Sequence, residues 1–191
     1  TENDSINTLS INDFIRKVRA ATRKKNKKRR LYLSCDKLTL ENASFSYNDQ
    51  LKDRLKDRFD YHHFQVDSIH GEFENLWTVK DTFAMEVKKM SGFDVATGLR
   101  INKLKTGFAV SQSAMLFDDL ELALGESIIK DSVRFDYTGT SEFSDFNNRV
   151  LINAQLSNSV ISTKNLAVFA PEIGSLNQTY TVSGRMNGLV R

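Results

Sequence analysis

The residues of this chain best suited to chemistry are His62, His63, His70, Cys35 and the pair Asp118-Asp119. Histidines would serve a metal or a general acid/base step, a thiolate would act as a nucleophile, and paired carboxylates would share a proton. Their spacing supports none of these. His62 and His63 are adjacent within an expected strand, so their side chains point to opposite faces and do not share a metal. Asp118-Asp119 stands directly before the apolar run from Leu120 and reads as a turn. Cys35 is the only cysteine, which excludes an internal disulfide, and in mid-strand it reads as a small core residue. There is no phosphate-cradling glycine loop, no His-Glu-x-x-His helix, no Gly-x-Ser-x-Gly elbow and no Cys-x-x-Cys pair. No catalytic residue, metal or cofactor is therefore expected, and the chain reads as a non-enzyme. A hydrolase on a β scaffold is the poorest alternative, because it needs a histidine-centred or two-carboxylate site.

The elements that would carry any site are strands. In the stretch Asp145 to Ser162, Val150, Ile152, Ala154 and Leu156 alternate with Leu151, Asn153 and Gln155, a period of two. Ser157-Asn158 reads as a turn, and Val160-Ile161 begins a second strand. The same phrase recurs along the chain. Leu38 and Leu40, then Phe45 and Tyr47, are separated by Glu41-Asn42. Phe83 and Met85, Phe108 and Val110, Leu120 to Leu124, and Val133 and Phe135 follow. Roughly twelve short antiparallel strands in a meander are expected from this pattern. Asn165 is placed to cap one helical turn that Pro171 stops. Segments 37–40, 67–70 and 102–105 echo one another between strands. The alternation alone leaves two readings open: a sheet whose apolar face is packed as core, as in a sandwich or barrel, and one whose apolar face is kept for guests.

Charge is unevenly spread over the 191 residues. Between Arg16 and Arg30 lie ten basic residues and no acid. Removing those ten from the 27 lysines and arginines leaves 17 against 24 acids, a net of −7 for the remainder. The chain divides accordingly into residues 1–30, an amphipathic helix with a basic loop, and residues 31–191, a repeated β segment. Ile11, Phe14, Ile15 and Val18 would share the apolar face of that helix. Its far face is a solvated surface, or a contact for anionic lipid headgroups through Arg16, Lys17, Arg19 and Arg23. A nucleic-acid surface is disfavoured, since Phe14 is the only aromatic residue there and no base-reading motif is present. No apolar run approaches the ~18 residues of a membrane-spanning helix. The chain begins at Thr1 without a signal-peptide pattern and reads as a piece of something longer.

Several phrases resemble one family. They include Asp145-Phe146-Asn147-Asn148-Arg149-Val150, Ala154-Gln155-Leu156-Ser157-Asn158-Ser159, Leu166-Ala167-Val168-Phe169-Ala170-Pro171-Glu172 and Val182-Ser183-Gly184-Arg185. Phe59-Asp60-Tyr61-His62-His63-Phe64, Ser91-Gly92-Phe93-Asp94 and Leu38 through Tyr47 agree with them. Over residues 31–191 the chain is similar to TamB proteins of the Bacteroidetes type. These are translocation and assembly module proteins of the AsmA-like superfamily. The resemblance implies a long parent in the envelope of a Gram-negative bacterium. That parent would be anchored in the inner membrane and cross the periplasm to the outer membrane. It also implies a mainly β fold, an elongated antiparallel meander curled into an open apolar groove, with one N-terminal amphipathic helix. Such grooves are associated with moving phospholipid between membranes and with outer-membrane protein assembly beside a barrel partner. The expected lining is Leu38, Leu40, Phe45, Tyr47, Phe64, Val66, Phe83, Met85, Leu99, Ile101, Phe108, Val110, Leu120, Leu122, Leu124, Val133, Phe135, Val150, Ile152, Leu156, Ile161 and Val182. The alternative is a docking module that recruits an outer-membrane barrel through strand edges or the basic helix.

Overall fold

The computed structural model describes residues 32–56, 58–60, 62–139, 142 and 146–189. They form one antiparallel sheet of eight strands whose order in space is their order in the chain. The strands are β1 (Tyr32–Asn48), β2 (His63–Val79), β3 (Thr82–Asp94), β4 (Arg100–Val110), β5 (Ala114–Leu124), β6 (Ser127–Asp136), β7 (Leu151–Ser162) and β8 (Thr179–Leu189). Helical segments are short: α1 (Phe146–Arg149), α2 (Thr163–Leu166) and a 3-10 turn over Pro171–Leu176. Because each strand pairs only with its sequence neighbours, the connections β1–β2, β3–β4, β5–β6 and β7–β8 all lie at one end of the sheet.

The expectation of about twelve strands is corrected to eight, and the reason is local. Residues of turn-forming type, Asp118-Asp119 and Ser157-Asn158 among them, sit inside continuous strands as β-bulges. Asn42 (φ 51°) falls at the register shift between Leu40 and Ala43. Ser68 (φ 51°) and Asn75 (φ 53°) fall at the shifts between Asp67 and His70 and between Glu74 and Trp77. Asp119 (φ 49°) lies between Phe117 and Leu120, and Asn158 (φ 47°) between Leu156 and Ser159. Each takes a left-handed conformation that Asn, Asp and, less readily, Ser tolerate, and each inserts one extra residue without reversing the chain. The strand before Ser157-Asn158 and the one expected after it are therefore one strand, β7. The echoing segments 37–40, 67–70 and 102–105 lie within β1, β2 and β4 rather than between strands.

The curled groove is overturned, and the expected N-terminal amphipathic helix lies outside the described residues. The sheet is elongated and open, β1 and β8 are its two edges, and they are not paired with each other. No helix among the described residues exceeds six residues. Ile11 to Val18 and the basic residues Arg16, Lys17, Arg19 and Arg23 lie outside the described residues. Cys35 also departs from expectation. It is exposed on the edge strand, its Sγ donating to the carbonyl of Lys37 at 3.2 Å. Pro171 opens the 3-10 turn instead of stopping a helix.

Asn165 lies inside α2 rather than capping it, and its side chain reaches the β5–β6 turn. Its Oδ1 accepts from the Glu126 N–H at 2.8 Å and from the Ser127 hydroxyl at 3.0 Å. Ser127 Oγ accepts in turn from the Ser162 N–H at 3.0 Å. The turn can approach this closely because Gly125 has φ +57° and no side chain, and a Cβ there would meet Asn165 Nδ2 at 2.2 Å. The β7–β8 connection is thereby fastened to the middle of the sheet.

If Asn42 is a bulge residue chosen for its left-handed backbone, Asn42→Gly should leave stability nearly unchanged. Asn42→Val should lower it by about 1–2 kcal/mol. Urea unfolding followed by far-ultraviolet circular dichroism measures both, and equal effects of the two substitutions would refute the assignment.

Candidate functional site

Partners in register share a face of the sheet, as do next-but-one residues of a strand. Three rows across the sheet follow. Phe83, Val110, Met115, Phe135 and Ile152 are successive partners from β3 to β7. Beside them run Met85, Phe108, Phe117, Val133 and Ala154. Further along the strands run Leu40, Gly71, Met90, Leu104, Leu122 and Ile129. These rows lie on the same side once the bulges are counted. Tyr47 with Phe64, Phe45 with Val66, Leu38 with Phe73 and Ile101 with Leu124 join them there. So do Leu120 with Leu156 through Asp131, Ser159 with Val182, and Ile161 with Tyr180. Of the residues expected to line one face, all but Leu99 and Val150 stand on this one. Leu99 precedes β4, and Val150 precedes β7 and is fully buried.

The opposite face carries the charge. Glu72 pairs with Lys89 at 2.8 Å, Lys88 bridges Glu86 and Glu74 at 2.7 and 3.4 Å, and Glu121 meets Lys103 and Lys105 at 2.5 and 3.7 Å. Glu74 and Glu86 are direct cross-strand partners, so Lys88 relieves a like-charge pair. The Lys89 and Lys103 ammonium groups hold Glu72 and Glu121 below the usual carboxylate range. These pairs are solvated and contribute little stability. One apolar island interrupts this side: Trp77, 4 % exposed, lies with Ala84 and Ala109, its registered neighbours in β3 and β4. It does not stand out in the sequence, since a tryptophan among glutamates carries no periodic signal. The two alanines are the sign that was there to read, because only small side chains leave room for an indole laid across two strands.

On the apolar face the aromatic rings form two chains. Phe83, Phe108, Phe117 and Phe135 link β3 to β6, with centroids 6.3, 5.1 and 6.2 Å apart. Near the other end of the strands, Phe45 and Tyr47 each lie 5.9 Å from Phe64. Phe59 stands 5.5 Å from both Phe64 and Phe169. The Phe59 N–H donates to the Val168 carbonyl at 2.5 Å. The first and last long connections therefore meet and form a bridge along one side of the apolar face. Among the described residues no second sheet packs on that face, since strands make substantial contact only with their ladder neighbours.

Asp60 and His63 fasten the root of the bridge. His63, the first residue of β2, has Nδ1 2.9 Å from Asp60 Oδ2 and Nε2 2.9 Å from the Asp49 carbonyl. Asp60 also accepts from the N–H groups of Leu55 and His62 at 2.9 and 3.0 Å. Burial pushes the Asp60 carboxyl up, but the bonds from His63, His62 and Leu55 together bring it below its ordinary value. The pair is an anchor for a loop. Among the described residues no three metal-ligating side chains gather, and Asp118-Asp119 lies within β5 with Asp119 as a bulge. Comparison with protein-family models, with curated proteins and with solved structures returns no match to the chain.

Because the folded Asp60 titrates below the unfolded residue, its contribution is complete above about pH 4. It is lost as pH falls through the lower folded value. Hydrogen exchange at the Leu55 and His62 amides should accelerate over that acid range. In Asp60→Asn the acceleration should vanish, and an unchanged profile in that variant would show that another group holds the loop.

Proposed function

We propose that the apolar face of this sheet binds phospholipid acyl chains, in a non-enzymatic segment of a longer envelope protein. The observation that carries the reading is the registered apolar rows, two from β3 to β7 and one from β1 to β6, with no second sheet packed on them among the described residues. These side chains half-bury one another without a second layer over them, and an apolar face of this extent is uncommon in a chain that keeps to itself. Acyl chains would lie across the strands, over the ring row of Phe83, Phe108, Phe117 and Phe135. Eight strands span about 34 Å in that direction at ~4.8 Å each. Burying ~0.8 kcal/mol per CH₂ gives roughly 13 kcal/mol gross for a chain of ~16 carbons, before the costs of association. Area alone supplies that, so no ligand-specific side chain is required.

The resemblance to TamB proteins extends the proposal. The parent would carry phospholipid between inner and outer membrane and support assembly of outer-membrane proteins. A second reading rests on the edges. β1 exposes Tyr32, Leu33, Phe45 and Tyr47 and has no strand on its outer side among the described residues, so another strand can be added there.

Native mass spectrometry of gently purified protein should show bound phospholipid. Phe117→Asn, on the apolar face, should reduce it, and Lys105→Ser, on the charged face, should leave it unchanged. A wild-type chain free of lipid would remove the acyl-chain reading and leave edge pairing as the better account.

A further inference from the structure

The two edges of the sheet are complementary to each other. With eight strands in simple antiparallel order, β1 and β8 run in opposite directions. Asn48 of β1 pairs with His63, and Thr179 of β8 pairs with Ser162, so both stand at the end of the sheet where β1 joins β2 and β7 joins β8. A second copy translated along the sheet therefore lays its β1 antiparallel to β8 of the first, with the two apolar faces on the same side. Aligning Asn48 of one copy with Thr179 of the other brings the bulge at Asn42 beside Gly184. Gly184 has φ +140°, and a Cβ there would meet nothing within 4 Å, so the bulge has room. The β7 bulge at Asn158 already flanks it on the other side. In this alignment Tyr47 meets Tyr180, Phe45 meets Val182 and Leu40 meets Met186 on the apolar face, while Glu41 meets Arg185 on the opposite face. Phe45, Tyr47, Tyr180 and Met186 are exposed, as are Glu41 and Arg185.

We propose that the chain associates head to tail with further copies of itself, β8 of one copy pairing with β1 of the next. The inference rests on the edge reading of β1 and names the strand it takes. Flush ends, the position of the bulge, matched apolar residues and opposite charges all give the same register. Pairing β1 with a second β1 along its length does not keep the faces. Of its 17 residues Asn42 is the extra one, which leaves 17 − 1 = 16 in phase. A two-fold axis through an even number sets apolar-face positions of one copy against opposite-face positions of the other. Head-to-tail pairing keeps them together, and each added copy continues the apolar face into the next sheet.

Sedimentation velocity of the full chain over a range of concentrations tests this, and dimers and longer oligomers should grow with concentration. Glu41→Arg or Arg185→Glu alone sets like charges across the junction and should weaken association by about fivefold. Mixing the two variants should restore it, because each then meets the opposite charge at both of its edges. Met186→Lys points a charge into the apolar face at the β8 edge and should leave a monomer with an unchanged circular dichroism spectrum. Association that is lost in Phe117→Asn but indifferent to the charge exchange would be stacking of apolar faces and would overturn the proposal. A chain that stays monomeric would overturn it too, and hydrogen exchange in that monomer separates this failure from that of the edge reading. Fast exchange at alternate β1 amides would leave the edge open to a different strand, whereas slow exchange at all of them would show the edge already covered and remove both.

Discussion

Side chains of the sheet keep their faces because extra strand residues are taken up in β-bulges, most often at a left-handed Asn, Asp or Ser. Without that device, one inserted residue would turn the rest of its strand over and put its leucines into water. Asn42, Ser68, Asn75, Asp119 and Asn158 all serve in this way. The spacing of apolar residues records it: Leu38 and Leu40 are two apart, Ala43 comes three later, and Phe45 and Tyr47 resume at two. The extra residue also raises local twist, which long strands in a single-layer sheet can accommodate.

Once the phase is kept, the sheet divides into two unlike surfaces. One holds registered rows of aromatic and aliphatic side chains, and the other holds cross-strand ion pairs around Trp77, Ala84 and Ala109. A sheet with no second layer is stable only if each surface finds its own cover. On the charged side that cover is water, and under the indole it is two alanines. On the apolar side it comes partly from neighbouring rings and partly from the bridge where Phe59 meets Val168 and Phe169. The edges have no strand on their outer sides among the described residues, which is why Phe45 and Tyr47 on β1 and Tyr180 and Met186 on β8 remain exposed.

Much of this was legible in the residues, and the misreadings share one cause. Asp118-Asp119 and Ser157-Asn158 have the composition of turns, because a turn and a bulge both need a residue that accepts positive φ. What separates them is whether the next strand pairs with the one before it or continues it. That is a question of hydrogen bonds to the flanking strands β4, β6 and β8, which lie outside the local stretch. The same confusion lengthened the count from eight strands to about twelve. Cys35 was misplaced for a related reason: its alternation is that of a core strand, but β1 stands at an edge.

The chain by itself determined which residues stand together on a face. Period-two alternation is a property of neighbouring peptide units, and Leu38, Phe64, Met85, Phe108, Leu122, Val133 and Ile152 carry it without help from the fold. Only the tertiary structure decided that the sheet stays open, that Trp77 finds its two alanines, and that His63 and Asp60 hold a connection whose Phe59 reaches Val168. Each of these depends on the pairing of separate strands or connections, and the last joins two that are distant in sequence. Such pairing sets the partners of a residue, whereas local pattern sets only the side to which it points.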